Sequence, residues 1–181
     1  VLVIIYWCVD ERTGFAFGGT LLPANFSMNI LKVIFRVPRP WVQYPDELEC
    51  ILPSTATGYS FPSGHSTTSG ALWGTTYTFS RKQWLKILSI ILIILVPISR
   101  VYLTCHWPLD VIVGTALGLV FSLLLSKKMY TLYDDEKHFG KVAVIIATTT
   151  GAVGIVTAIL LEGGAIEALL WKDLMETAIM C

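Results

Sequence analysis

Five long apolar stretches constrain this chain more than anything else in it. They cover residues 15–37, 62–79, 87–103, 109–126 and 142–161, and a shorter one covers residues 1–9. A helix rises about 1.5 Å per residue, so the five long stretches can each cross a hydrocarbon core of about 30 Å. Core helices of a soluble protein are the competing reading of any one stretch. Five of them in 181 residues leave too little polar sequence to coat such a core. Composition agrees, with 54% hydrophobic and only 14% charged residues, where soluble domains carry roughly a quarter charged. The mean hydropathy is +0.67. A disordered chain and a nucleic-acid binder are excluded, and a water-soluble globule is disfavoured. The 13 basic and 13 acidic residues cancel, so no bulk attraction to an acidic partner follows. The expected fold is all-α, a multi-pass transmembrane helical bundle.

Residues 1–9 read as the second half of a helix whose start is missing, and the chain opens without Met, so the sequence reads as a piece of a longer membrane protein. The expected organisation is a transmembrane domain over residues 1–161 with a truncated first helix. Residues 162–181 follow as an amphipathic tail or the start of a further span. Small residues recur at four-residue spacing: Ser66, Gly70 and Gly74 in one span, Asp110, Gly114 and Gly118 in another, Ala147 and Gly151 in a third. Such stripes let helix backbones approach closely in lipid. Arg12, Arg81, Lys82, Lys86, Lys127, Lys128, Lys137 and Lys141 fall on one side of the alternating spans, while Asp46, Glu47 and Glu49 accumulate on the other. The Lys-rich side is therefore expected to be cytoplasmic and the loop 38–61 extracytoplasmic. Cys8, Cys50, Cys105 and Cys181 have no metal spacing and read as free, half-buried thiols, with a Cys50–Cys105 bridge as the alternative.

Charged residues at membrane depth are expensive and each needs a reason. Lys32 and Arg36 end the 15–37 stretch, with Arg39 just beyond. His65 sits in the first turn of the next span, Arg100 near the end of the fourth, and His106 and Asp110 at the start of the fifth. All fall at the same, outward end. Lys32 and Arg39 are seven apart, about two turns, so they can face one side. In Phe61-Pro62-Ser63-Gly64-His65-Ser66 a proline is expected to open a helix, whose free amides and the Ser63 hydroxyl make an anion site that Gly64 lets an oxyanion approach. His106 and Asp110 are four apart, expected to share a helix face, so that the carboxylate fixes one imidazole tautomer and leaves the other nitrogen free to attack.

Lys32-x6-Arg39-Pro40, Pro62-Ser63-Gly64-His65 and Ser99-Arg100-x5-His106-x3-Asp110 together resemble the three-part signature of the type 2 phosphatidic acid phosphatase superfamily. That family spans membrane lipid phosphatases, glucose-6-phosphatase and vanadium haloperoxidases. The resemblance implies the phosphatase and haloperoxidase-like helical core. It also implies a membrane enzyme that hydrolyses a lipid phosphate or diphosphate, such as a polyprenyl diphosphate, phosphatidic acid or phosphatidylglycerol phosphate, at the extracytoplasmic face of the cell membrane. His106 resembles the nucleophile that becomes a phosphohistidine, Asp110 the carboxylate that orients it, and His65 the general acid and base. Lys32, Arg39 and Arg100, with the Ser63 hydroxyl and the Gly64 amide, resemble the cage for non-bridging oxygens. No metal and no cofactor is implied, and the expected partners are the lipid phosphate and the bilayer. A phosphotransferase, a vanadate-dependent haloperoxidase-like enzyme and a non-catalytic lipid-binding protein are the alternatives.

The remaining residues take plainer readings. Arg36 lies outside the signature and reads as a snorkelling arginine, with a second phosphate as the minority role. His138 reads as a solvated loop residue, and Trp41, Tyr44, Tyr59, Tyr102 and Trp107 as an interfacial aromatic belt. Ser66, Thr67, Thr68 and Ser69 read as interhelical hydrogen-bonding residues.

Overall fold

A computed structural model describes residues 10–56, 58–135, 138, 140, 141 and 148. The expected half-helix at 1–9, the span at 142–161 apart from residue 148, and the tail at 162–181 lie outside the described residues, as does the Ala147/Gly151 pair. All regular structure among the described residues is helical. Four long helices follow one another: α1 (Glu11–Phe35), then, after the short α2 (Pro40–Gln43) and a 3-10 turn at Pro53–Thr55, α3 (Gly64–Phe79), α4 (Gln83–Tyr102) and α5 (Pro108–Leu132).

Local chemistry sets their ends. Asp10 caps α1, accepting the Thr13 amide at 2.8 Å and the Thr13 hydroxyl at 2.6 Å. The helix stops where Arg36 turns into the left-handed region at φ 48°, two residues before Pro38. Pro62 does not open α3. It follows a cis bond from Phe61, and Ser63 is the N-cap, so the helix begins two residues later than expected. α5 opens on Pro108 with Asp110 in its first turn, where a carboxylate meets the positive end of the helix dipole.

α3 and α5 run parallel and pack through the two glycine stripes. A Cβ on Gly70 would sit 2.6 Å from the Thr115 carbonyl, one on Gly118 2.1 Å from the Thr67 carbonyl, and one on Gly74 2.7 Å from the Ser122 hydroxyl. No side chain larger than hydrogen fits this contact unless the helices part. Thr75 reaches Ser122 across the same seam at 3.3 Å. Against α3, α1 adds Asn25, which accepts the Thr68 hydroxyl at 2.9 Å, and α4 accepts the Ser69 hydroxyl at Leu92 O, 3.2 Å away. Of the four hydroxyls expected between helices, Thr68 and Ser69 serve there, whereas Ser66 and Thr67 bond within α3 to Ser63.

At the far end of the bundle Arg12 pairs with Asp134 at 2.7 Å and Tyr133 donates to Glu11 at 2.5 Å. These contacts tie the start of α1 to the end of α5 and leave Lys32, His65, Arg100 and His106 together at the opposite end. α4 and α5 are long and apolar enough to cross a membrane. On α4, Ile87, Ile90, Ile91, Ile94, Leu95 and Ile98 are all exposed, a continuous apolar face of the kind that water does not tolerate on a monomer.

Candidate active site

The site is built where α1, the loop 58–60, the start of α3 and the turn 103–107 meet. Lys32 is buried in the last turn of α1 and donates to the Tyr59 carbonyl at 2.7 Å. Arg39, also buried, donates through Nε to the Gly58 carbonyl at 2.9 Å. The two cations thus converge by holding adjacent carbonyls of one loop. Trp41 lies under the Arg39 guanidinium, 5.4 Å from ring centroid to carbon, and the Trp107 indole donates to the Pro38 carbonyl at 3.1 Å. Two of the expected belt aromatics therefore fix the arginine's segment, while Tyr102 points outward and is 79% exposed.

His106 is buried, and it stands outside α5, two residues before Pro108. The expectation that it shares a helix face with Asp110 is corrected here. The turn, not the helical repeat, brings the two within 3.3 Å, Nδ1 to Oδ2. The same carboxylate oxygen accepts the Trp107 amide at 2.9 Å and the Ser60 hydroxyl. Ser60 is fully buried and also lies 3.4 Å from His106 Nδ1. It is the residue that motif reading passed over. Its signal was its place two residues before Pro62, in a loop whose path only the tertiary contacts of Lys32 and Arg39 define.

The imidazole tautomer follows from its neighbours. Arg39 contributes an N–H 3.2 Å from Nε2 and donates from the same nitrogen to the Cys105 carbonyl at 2.9 Å. A guanidinium has only donors, so Nε2 presents its lone pair and Nδ1 carries the proton toward Asp110. Burial pushes the His106 imidazole down to about 4, against the upward pull of its bond to Asp110. The ring is neutral near pH 7 and can act as a nucleophile.

His65 stands at the head of α3, exposed, and among the described residues it makes no hydrogen bond through its side chain. Arg100, Arg39 and Lys32 lie within electrostatic range of it, and the last two also act on His106. Arg100 reaches Thr55 at 3.4 Å, and its Nε is buried without a partner among the described residues. The Ser63 amide donates to the Asp110 backbone carbonyl at 3.0 Å, joining the head of α3 to that of α5. The Ser63 hydroxyl serves as the N-cap, accepting the Ser66 amide at 3.4 Å and the Ser66 hydroxyl at 3.0 Å, and Ser63 is fully buried. The amides of Gly64 and His65, the first two of α3, have no intrahelical acceptor.

Two residues stay apart from this group. Arg36 is exposed and turns its Nε back to the Val33 carbonyl at 3.2 Å. His138 is exposed beside Asp135, 2.6 Å away. Cys50 and Cys105 are free, but buried rather than half-buried, with their sulfurs 3.4 Å apart. Cys8 and Cys181 lie outside the described residues. Among those residues no group of three or more His, Cys, Asp and Glu could hold a metal ion.

Known proteins resemble the chain across this region. Over 76 residues it is 45% identical to an undecaprenyl-diphosphatase of Sulfolobus acidocaldarius, covering 41% of this chain and 35% of that protein. Over 105 residues it is 30% identical to phosphatidylglycerophosphatase B of Bacillus subtilis, covering 52% of this chain and 50% of that protein. The chain thus spans half or less of the curated relatives it matches. No solved structure matches it at a comparable level. The model of the PAP2 superfamily matches residues 13–134, which takes in all of α1 but its first two residues, α2 through α5, and all three motifs gathered around His106. The chain belongs to the PAP2 superfamily.

Proposed function

We propose that the chain is a multi-pass membrane phosphatase that hydrolyses a lipid phosphate or diphosphate through a phosphohistidine on His106. The transmembrane domain runs over residues 1–161 and the active end faces the extracytoplasmic side of the cell membrane. The observation that carries the reading is the His106 environment: Nδ1 turned to Asp110, Nε2 with its lone pair toward Arg39, and Lys32 within electrostatic range. His106 Nε2 attacks phosphorus as the bond to the leaving oxygen breaks, and His65 gives that oxygen a proton. Water then attacks phosphorus as its bond to Nε2 breaks, which frees His106, releases phosphate and returns a proton to His65. Lys32, Arg39 and Arg100, with the Ser63 hydroxyl and the Gly64 amide, hold the non-bridging oxygens, which is most of what phosphoryl transfer asks of a protein. An anionic oxygen is a stronger acceptor for Arg39 than a neutral imidazole, so substrate draws the guanidinium off Nε2 and frees the nucleophile.

The substrate class is supported by position. A site at the ends of apolar helices meets a headgroup while the hydrocarbon tail stays in lipid, and both relatives are named for lipid phosphate substrates. Purified protein in detergent should release inorganic phosphate from a panel of polyprenyl diphosphate, phosphatidic acid and phosphatidylglycerol phosphate with a chelator present. His106→Ala should abolish that release. Persistent turnover in the variant would remove His106 from the reaction.

A further inference from the structure

Cys50 and Cys105 belong to no step of the reaction proposed above, yet 54 intervening residues fold so that their sulfurs touch, 3.4 Å apart. The contact is enclosed. Cys105 is fully buried and Cys50 is 9% exposed, with Ala56 in the same buried cluster and Trp41 and Leu103 packed against it. The backbones on either side are already aligned, since the Ile51 amide donates to the Leu103 carbonyl at 3.4 Å. Cys105 is anchored at both its polar groups. Its amide donates to the Arg100 carbonyl at 3.0 Å and its carbonyl accepts Arg39 at 2.9 Å. A disulfide of about 2.05 Å is then within reach of side-chain rotation.

We propose that Cys50 and Cys105 form a dithiol site that a disulfide donor converts into an intramolecular disulfide. The bond staples the loop carrying Cys50 to the turn that carries His106. The Cys50 thiolate attacks one sulfur of the donor and expels the other as a thiol. The Cys105 thiolate then attacks the Cys50 sulfur of that mixed disulfide and expels the second donor thiol. Two electrons and two protons pass from the cysteine pair to the donor, and nothing else is consumed. Glu49, Ile51 and Leu52 are exposed on either side of Cys50, so the donor reaches Cys50 by local displacement of its loop. The staple encloses all of α3 and α4. It fixes the carbonyl that holds Arg39 against His106, so its effect falls on the endurance of the site rather than on its chemistry.

The test uses the full chain in membranes, exposed to oxidised glutathione, then denatured, alkylated with N-ethylmaleimide and digested. Joined peptides containing Cys50 and Cys105, lighter by two hydrogen atoms and separated by reductant, support the proposal. Alkylation of both cysteines, glutathione left on either one, or joining of either to Cys8 or Cys181 overturns it. A second measurement follows phosphate release after heating. In the oxidised wild type, reductant should lower the temperature of half-inactivation by several degrees, because opening a loop this long restores entropy to the unfolded chain. In Cys50→Ala it should have no effect. An equal effect of reductant in both proteins overturns the assignment, and the peptide result on the wild type decides the matter even if Cys50→Ala does not fold.

Discussion

Gly114 is the point at which packing and chemistry are tested together. A Cβ there would lie 2.6 Å from the Ser63 carbonyl oxygen, 3.1 Å from the Thr67 hydroxyl and 3.3 Å from the Ser63 nitrogen. A carbon and a carbonyl oxygen rest no closer than about 3.3 Å, so Gly114→Ala forces the heads of α3 and α5 apart by roughly 0.7 Å. The bond from the Ser63 amide to the Asp110 carbonyl, 3.0 Å long, is stretched past the usual limit of about 3.2 Å. Overpacking of this kind costs about 1–3 kcal/mol. It also moves His65, Ser63 and Gly64 away from His106, and a displacement near 1 Å costs up to about 100-fold in rate. The comparison is Gly18→Ala, the same change in α1 where a Cβ meets nothing within 4 Å. There the loss of glycine's chain entropy should add about 0.5–1 kcal/mol and leave turnover alone. Thermal unfolding in detergent and phosphate release from a lipid phosphate measure both variants. If Gly114→Ala unfolds and turns over like the wild type while Gly18→Ala is the damaged one, the account of how α3 is held against α5 is wrong.

Ser60→Ala removes a donor from a buried carboxylate and should cost about 1.5–3 kcal/mol, read as a lower unfolding midpoint; a midpoint equal to wild type would mean that Ser60 does not share Asp110. The His106 imidazole is held down to about 4 from an ordinary 6.5, so between those values the unfolded chain binds a proton that the folded chain refuses. The resulting stability is whole above pH 6.5 and drains away as pH falls toward 4; the slope should become shallower in His106→Gln, and an unchanged slope there would assign it to another group. Among the described residues Arg100 makes one long hydrogen bond and has an unpartnered Nε, so Arg100→Ala should lower kcat/KM by about 100-fold with little change in midpoint. Arg100→Lys should recover only part of the rate, since the planar fork is lost; full recovery would reduce its role to charge alone.

The helices and their seam were legible because both obey the helical repeat. Four-residue spacing of Gly70, Gly74, Gly114 and Gly118 is a local property, and so is the exclusion of charge from residues 87–99. The ends of elements were less so. Phe61-Pro62 looked like a helix start because proline suits a first turn, but the capping hydroxyl of Ser63 stands one residue later and took that place. His106 and Asp110 were expected to meet through a helix and meet through a turn instead, which the spacing alone does not distinguish. Ser60 was illegible for a different reason. It lies in irregular chain positioned by Lys32 and Arg39 from elsewhere, so no periodicity marks which way its hydroxyl points. The aromatic residues divide on the same ground: Trp41 and Trp107 have acquired specific partners in that loop, and Tyr102, on a helix end, has kept the exposed position of an interfacial residue.

The two imidazoles differ in a way that suits them to different work. His106 is buried, neutral and held at both nitrogens, by Asp110 on one side and Arg39 on the other. Such a ring cannot trade protons with water during turnover, but it offers one lone pair in one direction, which is what in-line attack on phosphorus requires. His65 is exposed, and among the described residues its side chain is not hydrogen-bonded. It is free to give a proton to a leaving oxygen and to recover one from the water that follows. Exchanging these environments would disable both: a solvated nucleophile would be protonated and mobile, and a buried acid could not be recharged. The division rests on the loop 58–60, because Lys32 and Arg39 spend donors on its carbonyls and Ser60 spends its own on Asp110. That loop packs against the inner ring through Ser60 and leaves the outer one in solvent, so in the proposed reaction a segment without regular structure would set which histidine attacks and which one moves the proton.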